Sequence, residues 1–522
     1  MRFYTRLIDL LRSHSSLLYI LAFGLLLMAF SLSLPDRKPH IDDAWLGEHS
    51  YWLYKDGVAK SKLMTGIAGS EDRLLLHHKL FTMQGAGIIA FFGFQLHWLK
   101  AVSLVYLVLT IMLLFRLQKT TGIFSHKASW PILLLIFISN PLIFEFGFVF
   151  RPETMLMFLG LCSYYFLFQS IQQTNRIPYL ALLSGVFAGL ALSTHLNGAI
   201  FIAAGFLLLL VRIKLLPALF FAGGSVIGAL LYFYDFRSLV DFSLWYAQLT
   251  FIPSNSIELH PLLKPLYHLS AEHMRYFHSP KEIIFSVLLI VTVLGNYKKL
   301  WQLQRPLLLY TVFLMVSLAA LALNKTSKYL IPLMPYFLMI IVYGIEQLLS
   351  ADPVRALRRY GWVLSAYFLV SVFYNLQVVQ SKHDPGLNRQ IREAFAGNES
   401  RQMKVLAPMV FIFNEIDHFE SVISVMSYGE QQKIDPDLQA ENILLKAASQ
   451  GINLILLRDE DALQFGLEKY SLYEKAGGFR KVFEGDKLIV WSAELNNYPP
   501  LVKNSVEDGY NNGLLYYSGA FN

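Results

Sequence analysis

The chain has 522 residues, of which 55% are hydrophobic and 15% aromatic, and its mean hydropathy is +0.44. This composition is too apolar for an ordinary soluble protein, and it predicts a polytopic membrane protein. The net charge of +7 does not indicate nucleic-acid binding, because the basic residues lie mostly in short loops between apolar runs. The single cysteine, Cys162, lies within an apolar run, which excludes an intrachain disulfide and argues against thiol chemistry.

Apolar runs that are long enough to cross about 30 Å of hydrocarbon predict about eleven transmembrane helices. The first run follows three arginines and lacks a small-residue cleavage pattern, so we expect it to remain as an anchor. The predicted spans are near residues 16–34, 98–117, 130–147, 153–170, 179–195, 197–212, 216–233, 282–296, 306–323, 330–348 and 361–379.

The basic loops predict the orientation of these spans. Lysines and arginines collect in the loops on the same side as the basic N-terminus, and this side is expected to be cytoplasmic. The outer side then receives the remaining segments, so the site and the C-terminal region are predicted to lie outside the cytoplasmic (inner) membrane. These segments are the 35–97 loop, the turns at Arg151 and His195, the 234–281 loop, the 324–329 turn and the chain after about residue 380.

The first outer loop carries two adjacent acidic residues, Asp42 and Asp43. A carboxylate at the bilayer boundary stays ionised and can act as a base on a substrate whose tail lies in lipid. The alternative is that the pair caps a short helix over 44–54, since Asp is a favoured N-cap. Adjacent helical residues point about 100° apart, so only one is expected to face a substrate. We assign the base to Asp43 and the N-cap to Asp42.

The same outer loop contains a glycine-containing apolar segment, 84–96. This segment is too short to span the membrane, and it predicts a juxtamembrane or re-entrant segment.

Other polar groups stand at the outer ends of apolar runs. Arg151 and Glu153 must each be paired or reach water, and a mutual salt bridge and a functional role are both open. Lys325 and Lys328 either extend to lipid headgroups or bind a ligand. His195 taken alone is typical of a packing residue. The convergence of acids and bases on one face favours function, because carboxylates can take a proton while lysine and arginine hold a phosphate.

After about residue 380 the apolar spans stop, and the remaining 140 residues or so predict one small α/β domain. Segments 404–410 and 452–457 have the pattern of strands, and 438–449 that of an amphipathic helix ended by Gly451. Segments 480–484 and 487–491 predict a hairpin. The domain has no phosphate-binding glycine loop and no metal-ligand cluster, so we interpret it as an accessory module. The last stretch, 496–522, is expected to be irregular.

The order of several short motifs resembles a known family. The acidic pair is followed by His77-His78-Lys79-Leu80-Phe81, then Asn140-Pro141, Arg151-Pro152-Glu153, and finally Lys328-Tyr329-Leu330-Ile331-Pro332. Over residues 1–380 this pattern is similar to the GT-C superfamily, and most similar to bacterial members of glycosyltransferase family 39, the group of protein O-mannosyltransferases and lipid A aminoarabinose transferase.

The resemblance implies an inverting enzyme that moves a sugar from a polyprenyl-phosphate carrier to a lipid, glycan or protein acceptor. It implies that Asp42 or Asp43 is the catalytic acidic residue of the first loop and that Glu153 is the second acidic position. The implied substrate-binding residues are Lys79, Arg151, His195, Lys325, Lys328 and Tyr329. At 194–198 the chain departs from relatives that place a lysine there, so only a hydrogen bond from His195 is expected.

Chemistry of this kind needs no nucleotide cofactor, since the phosphate ester supplies the energy, and the absence of Walker or Rossmann glycine motifs is consistent with that. The acidic pair could bind a divalent metal ion through oxygen ligands, and the sequence leaves this open.

Two other classes of membrane protein are alternatives to a glycosyltransferase. A transporter or flippase of lipid-linked glycans would need two comparable halves with interrupted helices, and no internal repeat is present. A membrane scaffold would leave the acidic and basic motifs without a role.

Overall fold

The structure, a computed structural model, describes residues 39–126, 129–172, 177–251, 264–322, 324–351, 353–381, 403–413, 416–432, 440–458, 475–476, 478–485 and 488–493. The predicted first span at 16–34 and the predicted irregular end at 496–522 lie outside these residues. The proposed division at residue 380 also adjoins residues that are not described, so it stays a prediction.

Helices make up most of the described chain up to residue 381. The first four are α1 (Ile41–Asp56), α2 (Lys79–Phe92), α3 (Leu96–Thr121) and α4 (Ser129–Ser139). The next six are α5 (Pro141–Phe146), α6 (Glu153–Gln172), α7 (Ile177–Thr194), α8 (Ala199–Val211), α9 (Leu215–Leu230) and α10 (Val240–Thr250). The last six are α11 (Lys264–Ser270), α12 (His273–Phe277), α13 (Pro280–Leu303), α14 (Arg305–Leu321), α15 (Met334–Ala351) and α16 (Pro353–Ser381).

The apolar helices establish a multi-pass membrane protein. Within the part of the chain that the structure describes, six helical segments are long and apolar enough to cross a membrane. Five shorter apolar helices accompany them, among them α2. Each predicted span after the first overlaps an apolar helix, which confirms the helical membrane fold, whereas the total of eleven spans stays a prediction.

Close helix contact in the membrane region depends on small residues. A Cβ atom added to Gly185 of α7 would lie 2.0 Å from the carbonyl oxygen of Phe221 in α9, and one added to Gly224 would lie 2.1 Å from that of Leu182. Lipid gives helices little hydrophobic reason to associate, so close approach of their backbones supplies much of the attraction. These two glycines therefore fix how α7 and α9 pack.

The C-terminal region forms a mixed sheet with helices, as predicted. Its strands are β1 (Lys404–Ala407), β2 (Ser421–Ser424), β3 (Leu454–Arg458), β4 (Lys475–Ala476), β5 (Phe479–Gly485) and β6 (Leu488–Ala493), in the order β2-β1-β3-β6-β5-β4. Strand β1 is parallel to β2 and β3, and β5 pairs with β6 as the predicted antiparallel hairpin. Two helices, α17 (Val425–Gln432) and α18 (Ala440–Ser449), follow β2.

Helix α1 is buried by tertiary contacts rather than by an apolar stripe of its own. Nine of its residues from Asp43 to Trp52 are buried, and they include Glu48, His49 and Ser50. Glu48 accepts hydrogen bonds from Trp52 Nε1 at 3.0 Å, Ser61 Oγ at 2.6 Å and the backbone N–H groups of Lys62 and Leu63 at 2.7 and 3.0 Å. These bonds tie the 57–78 segment to α1.

Candidate functional site

The first turn of α1 gives the two adjacent aspartates different environments. His40 is the N-cap, and its ring nitrogen Nδ1 accepts a hydrogen bond from the Asp42 backbone N–H at 3.1 Å. The Asp43 carboxylate accepts from the backbone N–H of His40 at 2.7 Å and from that of Phe150 at 2.6 Å, and Asp43 is fully buried. The prediction that Asp42 is the N-cap of a helix starting at 44 is therefore wrong, because His40 and Asp43 together form the capping box.

Asp42 instead faces a charged cluster. One carboxylate oxygen pairs with Arg151, and the side chain is 18% exposed. Arg151 also donates to Glu153 through Nε at 3.0 Å and Nη2 at 2.6 Å, so the salt bridge between these two residues is present. Arg151 precedes α6 and Glu153 is its first residue. A single guanidinium thus holds two carboxylates, one of them partly exposed and the other buried.

Two histidine rings lie beside this cluster. His78 and His195 stack with their ring centroids 4.6 Å apart, and the Tyr329 ring meets His195 edge-on at 5.6 Å. Burial lowers the pKa of His78 to about 4 and holds the pKa of His195 well below its usual value, so both rings are neutral near pH 7. His195 Nδ1 accepts from the Asn197 backbone N–H at 2.9 Å, and the ring proton is therefore on Nε2.

Lys328 lies near these residues without a direct partner in the described part of the chain. It interacts electrostatically with Arg151 and Glu153. Among the residues that the structure describes, none forms a hydrogen bond or salt bridge with its ammonium group, which lies 6.0 Å from the centre of the Tyr329 ring. Lys328 is partly exposed. We call Asp42, Arg151, Glu153, His78, His195, Lys328 and Tyr329 the outer cluster.

Lys79 lies in a second group. Its ammonium donates to both carboxylate oxygens of Asp235 at 2.7 Å, and His77 Nε2 lies 3.1 Å from the same carboxylate. Burial acts to raise the pKa of Asp235, but His77 and Lys79 outweigh it and keep that pKa below its usual value. The rings of Tyr232 and Tyr234 lie near the lysine. The Lys79 charge is thus already neutralised by Asp235.

Lys325 lies in a third group, which adjoins the outer cluster where the Arg275 guanidinium lies 5.6 Å from the centre of the Tyr329 ring. It donates to Glu272 at 2.9 Å and to the carbonyl oxygens of Ala319 and Ala322 at 3.0 and 3.1 Å. Glu272 also binds the fully buried Arg275, whose guanidinium holds the carbonyl of Asn324 at 3.1 Å. The structure therefore separates the two lysines that the sequence left as alternatives, because only Lys328 lies with Arg151 and Glu153.

Two further polar side chains of α1 lie on the same face of the helix as Asp42. Trp45 and His49 follow it by three and seven residues, a spacing that places all three on one face. The two rings meet edge-on at 5.3 Å. Trp45 Nε1 and both ring nitrogens of His49 are buried, and in the described part of the protein none has a hydrogen-bond partner. Buried polar groups without a hydrogen-bond partner lower the stability of the folded protein. A polar ligand that forms hydrogen bonds with these nitrogens would remove that cost.

The carboxylates that the structure describes in this region are not arranged as a divalent metal site. Over the described ranges, no three His, Cys, Asp or Glu side chains are arranged to hold a metal. One oxygen of Asp42 and both oxygens of Glu153 face the Arg151 guanidinium, and those of Asp43 accept backbone N–H groups. A metal needs several converging oxygen ligands, and five of these six carboxylate oxygens are already directed to other groups.

Sequence reasoning did not assign roles to His78, Trp45 and His49. His78 belongs to the His77-His78-Lys79 triplet, and the structure divides that triplet between two groups, because His77 and Lys79 face Asp235. Asp235 was also missed, since one acidic residue in a long aromatic loop gives no periodic signal. The face shared by Asp42, Trp45 and His49 could have been found from their spacing, if the helix had been predicted to begin at 41.

The chain shares its fold with solved structures of ArnT and of the archaeal oligosaccharyltransferase AglB, which agrees with the fold that the resemblance implied. No protein-family model matches the chain, and no curated protein matches its sequence. The solved structures described below share 8–12% sequence identity with it.

One such structure is ArnT from Cupriavidus metallidurans in the apo state, with a TM-score of 0.59 and 12% identity over 91% of this chain and 97% of that one. ArnT bound to undecaprenyl phosphate gives a TM-score of 0.57 at 12% identity and the same coverage. The archaeal oligosaccharyltransferase AglB from Archaeoglobus fulgidus, in complex with an inhibitory peptide and a dolichol-phosphate, gives 0.50 at 8% identity over 92% of this chain and 75% of that one.

Proposed function

We propose that the protein is an inverting glycosyltransferase that moves a sugar from a polyprenyl-phosphate carrier to a lipid, glycan or protein acceptor. The GT-C fold supports the reaction class. The similar structures named for bound undecaprenyl phosphate and dolichol-phosphate support a lipid-linked donor. The charge pattern of the loops supports a site on the outer face of the cytoplasmic membrane.

The observation that carries the proposal is the environment of Asp42. It is a partly exposed carboxylate fixed by the Arg151 guanidinium, and Arg151 in turn interacts electrostatically with Lys328 and His195. A general base needs a lone pair that a substrate can reach, and the buried Asp43 directs its oxygens to backbone N–H groups. We therefore assign the base to Asp42 in place of Asp43, and we assign the support of α1 to Asp43.

In the proposed reaction the acceptor hydroxyl oxygen attacks the anomeric carbon of the sugar. The hydroxyl proton passes to the Asp42 carboxylate, and the bond between the anomeric carbon and the phosphate oxygen breaks with inversion. The bonding pair leaves with the polyprenyl phosphate, whose negative charge increases. Lys328 and the Nε2–H of His195 are the groups available to stabilise that charge.

Arg151 and Glu153 act on Asp42 in this scheme rather than on the substrate. The buried Glu153 takes two of the Arg151 N–H groups and so fixes the guanidinium, which in turn fixes Asp42. Catalysis depends on such positioning, because a well-oriented base is much more effective than a mobile one. Tyr329 packs on His195 and holds its ring.

Trp45 and His49 provide the polar contacts that a sugar requires. Their unpartnered nitrogens are one and two turns along α1 from the base. Hydroxyl groups can both donate and accept, so one sugar could satisfy the indole N–H and the imidazole together. We assign these two residues to hydroxyls of the transferred sugar.

The decisive experiment compares D42N with D43N in the purified protein. Sugar transfer is measured with labelled polyprenyl-phosphate sugars from the native membrane lipids. Asn keeps the size of the side chain but removes the proton acceptor, so D42N should lower the rate about 10²- to 10⁴-fold while leaving undecaprenyl phosphate binding unchanged.

D43N should affect mainly stability, since its carboxylate supports the capping box and the Phe150 backbone. A protein that transfers sugar normally with the D42N change would refute the assignment of the base. Loss of transfer in D43N with no loss of stability would return that role to Asp43.

A further inference from the structure

The C-terminal domain contacts the same helix that carries Asp42. In the second half of α1, the Tyr51 hydroxyl and the Lys55 ammonium both donate to the Asp417 carboxylate, Lys55 at 3.0 Å. Lys55 also donates to the Tyr51 hydroxyl at 2.7 Å. Asp417 lies between β1 and β2 of the domain. One carboxylate of the domain therefore binds two side chains on successive turns of α1.

The domain also binds the segment that follows α1. The backbone N–H of Ser424 donates to the carbonyl of Leu63 at 2.9 Å, and Ser427 Oγ and Gln431 Nε2 donate to the carbonyl of Thr65 at 2.7 and 2.8 Å. The backbone N–H of Leu63 is itself bound by Glu48 of α1. A second route of hydrogen bonds thus joins the domain to α1.

Apolar packing completes this contact. The ring of Phe413 stacks on Phe94 with centroids 5.4 Å apart, and Phe413 is buried. A Cβ atom added to Gly47 of α1 would be 3.7 Å from Phe413 and 3.2 Å from Leu99. The absence of a side chain at Gly47 therefore allows the domain and α3 to approach the middle of α1.

The opposite end of α1 is held by the membrane region. Asp43 accepts from the Phe150 backbone and lies 3.6 Å from the Lys100 ammonium. The helix is thus fixed at its first turn by the membrane helices and at its third and fourth turns by the C-terminal domain. Tyr51 is nine residues after Asp42, which corresponds to about 14 Å along the axis.

We propose that the C-terminal domain positions the catalytic carboxylate through α1, and that Asp417 is the positioning residue at this contact. The inference rests on the proposed role of Asp42. A helix of sixteen residues moves nearly as one body, so release of its distal half alters the direction in which the first turn presents Asp42. Small displacements of a catalytic group have large kinetic effects.

The test is a graded series at Asp417 in the full-length protein. D417A removes the acceptor for both Tyr51 and Lys55, while D417N keeps an oxygen that the Tyr51 hydroxyl can reach. E420Q is the matched control, because Glu420 is a carboxylate of the same domain whose side chain pairs with Lys404 at 3.8 Å rather than with α1.

D417A should lower kcat for sugar transfer about 10-fold with the KM for the donor and the affinity for undecaprenyl phosphate unchanged. Amide hydrogen exchange over residues 41–46 should become faster in the same variant. D417N should retain most of the activity, and E420Q should behave as the wild type. Normal kcat and normal exchange in D417A would overturn the inference.

Two further outcomes separate this inference from the proposed function. If D42N abolishes transfer while D417A changes neither kcat nor exchange, the function stands and the positioning role fails. If D42N leaves transfer intact, the assignment of Asp42 as the base fails, and faster exchange at 41–46 in D417A still establishes the link between the domain and α1.

Discussion

The outer cluster and the two lysine groups around Asp235 and Glu272 contain the same kinds of charged residue but differ in how these are partnered. Lys79 and Lys325 are each bound directly to a carboxylate, at 2.7 and 2.9 Å. In the outer cluster, Lys328 has no such bond among the described residues, and Asp42 is partly exposed. Paired charges hold segments together, whereas charges that are only partly paired are available to a substrate. The predictions below test this distinction.

The largest effect on stability is expected for Lys79. Among the described residues, K79A leaves Asp235 with His77 as its one remaining charged or polar side-chain partner. Breaking a buried pair of this kind costs about 3 kcal/mol of unfolding free energy. Thermal unfolding in detergent, followed by tryptophan fluorescence, measures the loss. A stable K79A protein with weakened undecaprenyl phosphate binding would show that Lys79 binds the carrier. The distinction between paired and partly paired charges would then be wrong.

Glu48 gives a second stability test, through pH. Burial raises its pKa from 4.5 to about 7 despite four hydrogen-bond donors. The folded protein therefore keeps this proton between pH 4.5 and 7 while the unfolded chain loses it, so the contribution to stability is present below pH 4.5 and is lost as the pH rises to 7. Over this pH range the free energy of unfolding should fall by roughly 3 kcal/mol.

E48Q is the variant that isolates this effect. Gln resembles the protonated carboxyl, because its amide oxygen can accept from Trp52 and Leu63 while its amide group faces the Ser61 hydroxyl. Unfolding midpoints of wild type and E48Q in detergent should diverge between pH 5 and pH 7, with the wild type falling. Parallel midpoints over this range would show that Glu48 is not protonated in the folded protein.

Lys328 should affect binding of the carrier phosphate. K328A removes a charge-assisted contact and should weaken undecaprenyl phosphate binding by roughly 1.5–3 kcal/mol, with little change in stability. K325A is the matched control, since that lysine is bound to Glu272 and to two carbonyls. Equal losses of affinity in both variants would show that the cations act only through net charge.

The smallest effect is expected at Trp45. W45F keeps the aromatic ring and removes the indole N–H, which has no partner among the described residues. If that N–H binds a sugar hydroxyl, the KM for the sugar donor should rise by about 5-fold, equivalent to about 1 kcal/mol. Undecaprenyl phosphate lacks the sugar, and its affinity should not change. A matching change in both affinities would assign Trp45 to the carrier rather than to the sugar.

The sequence allowed the charged face to be found but not the role of each residue in it. Arg151, Glu153 and Lys328 could be named because they stand at the ends of apolar runs, where a charge is conspicuous. Asp42 and Asp43 could not be told apart, because their difference depends on the backbone of Phe150, more than a hundred residues away. Lys79 and Lys325 were grouped with the site because their partners, Asp235 and Glu272, are in other segments.

The amino-acid sequence by itself determined the membrane class, the helical spans and the small C-terminal sheet, because hydropathy and periodicity are local properties. Only the tertiary structure decided that the largely polar α1 is buried on its sides, since the buried faces are covered by α2, α3, the 57–78 segment and the C-terminal domain. It also decided which charges are paired. Ion pairs form between groups distant in sequence, and burial then determines what each costs, so no local pattern separates the partly exposed Asp42 from the buried Asp43.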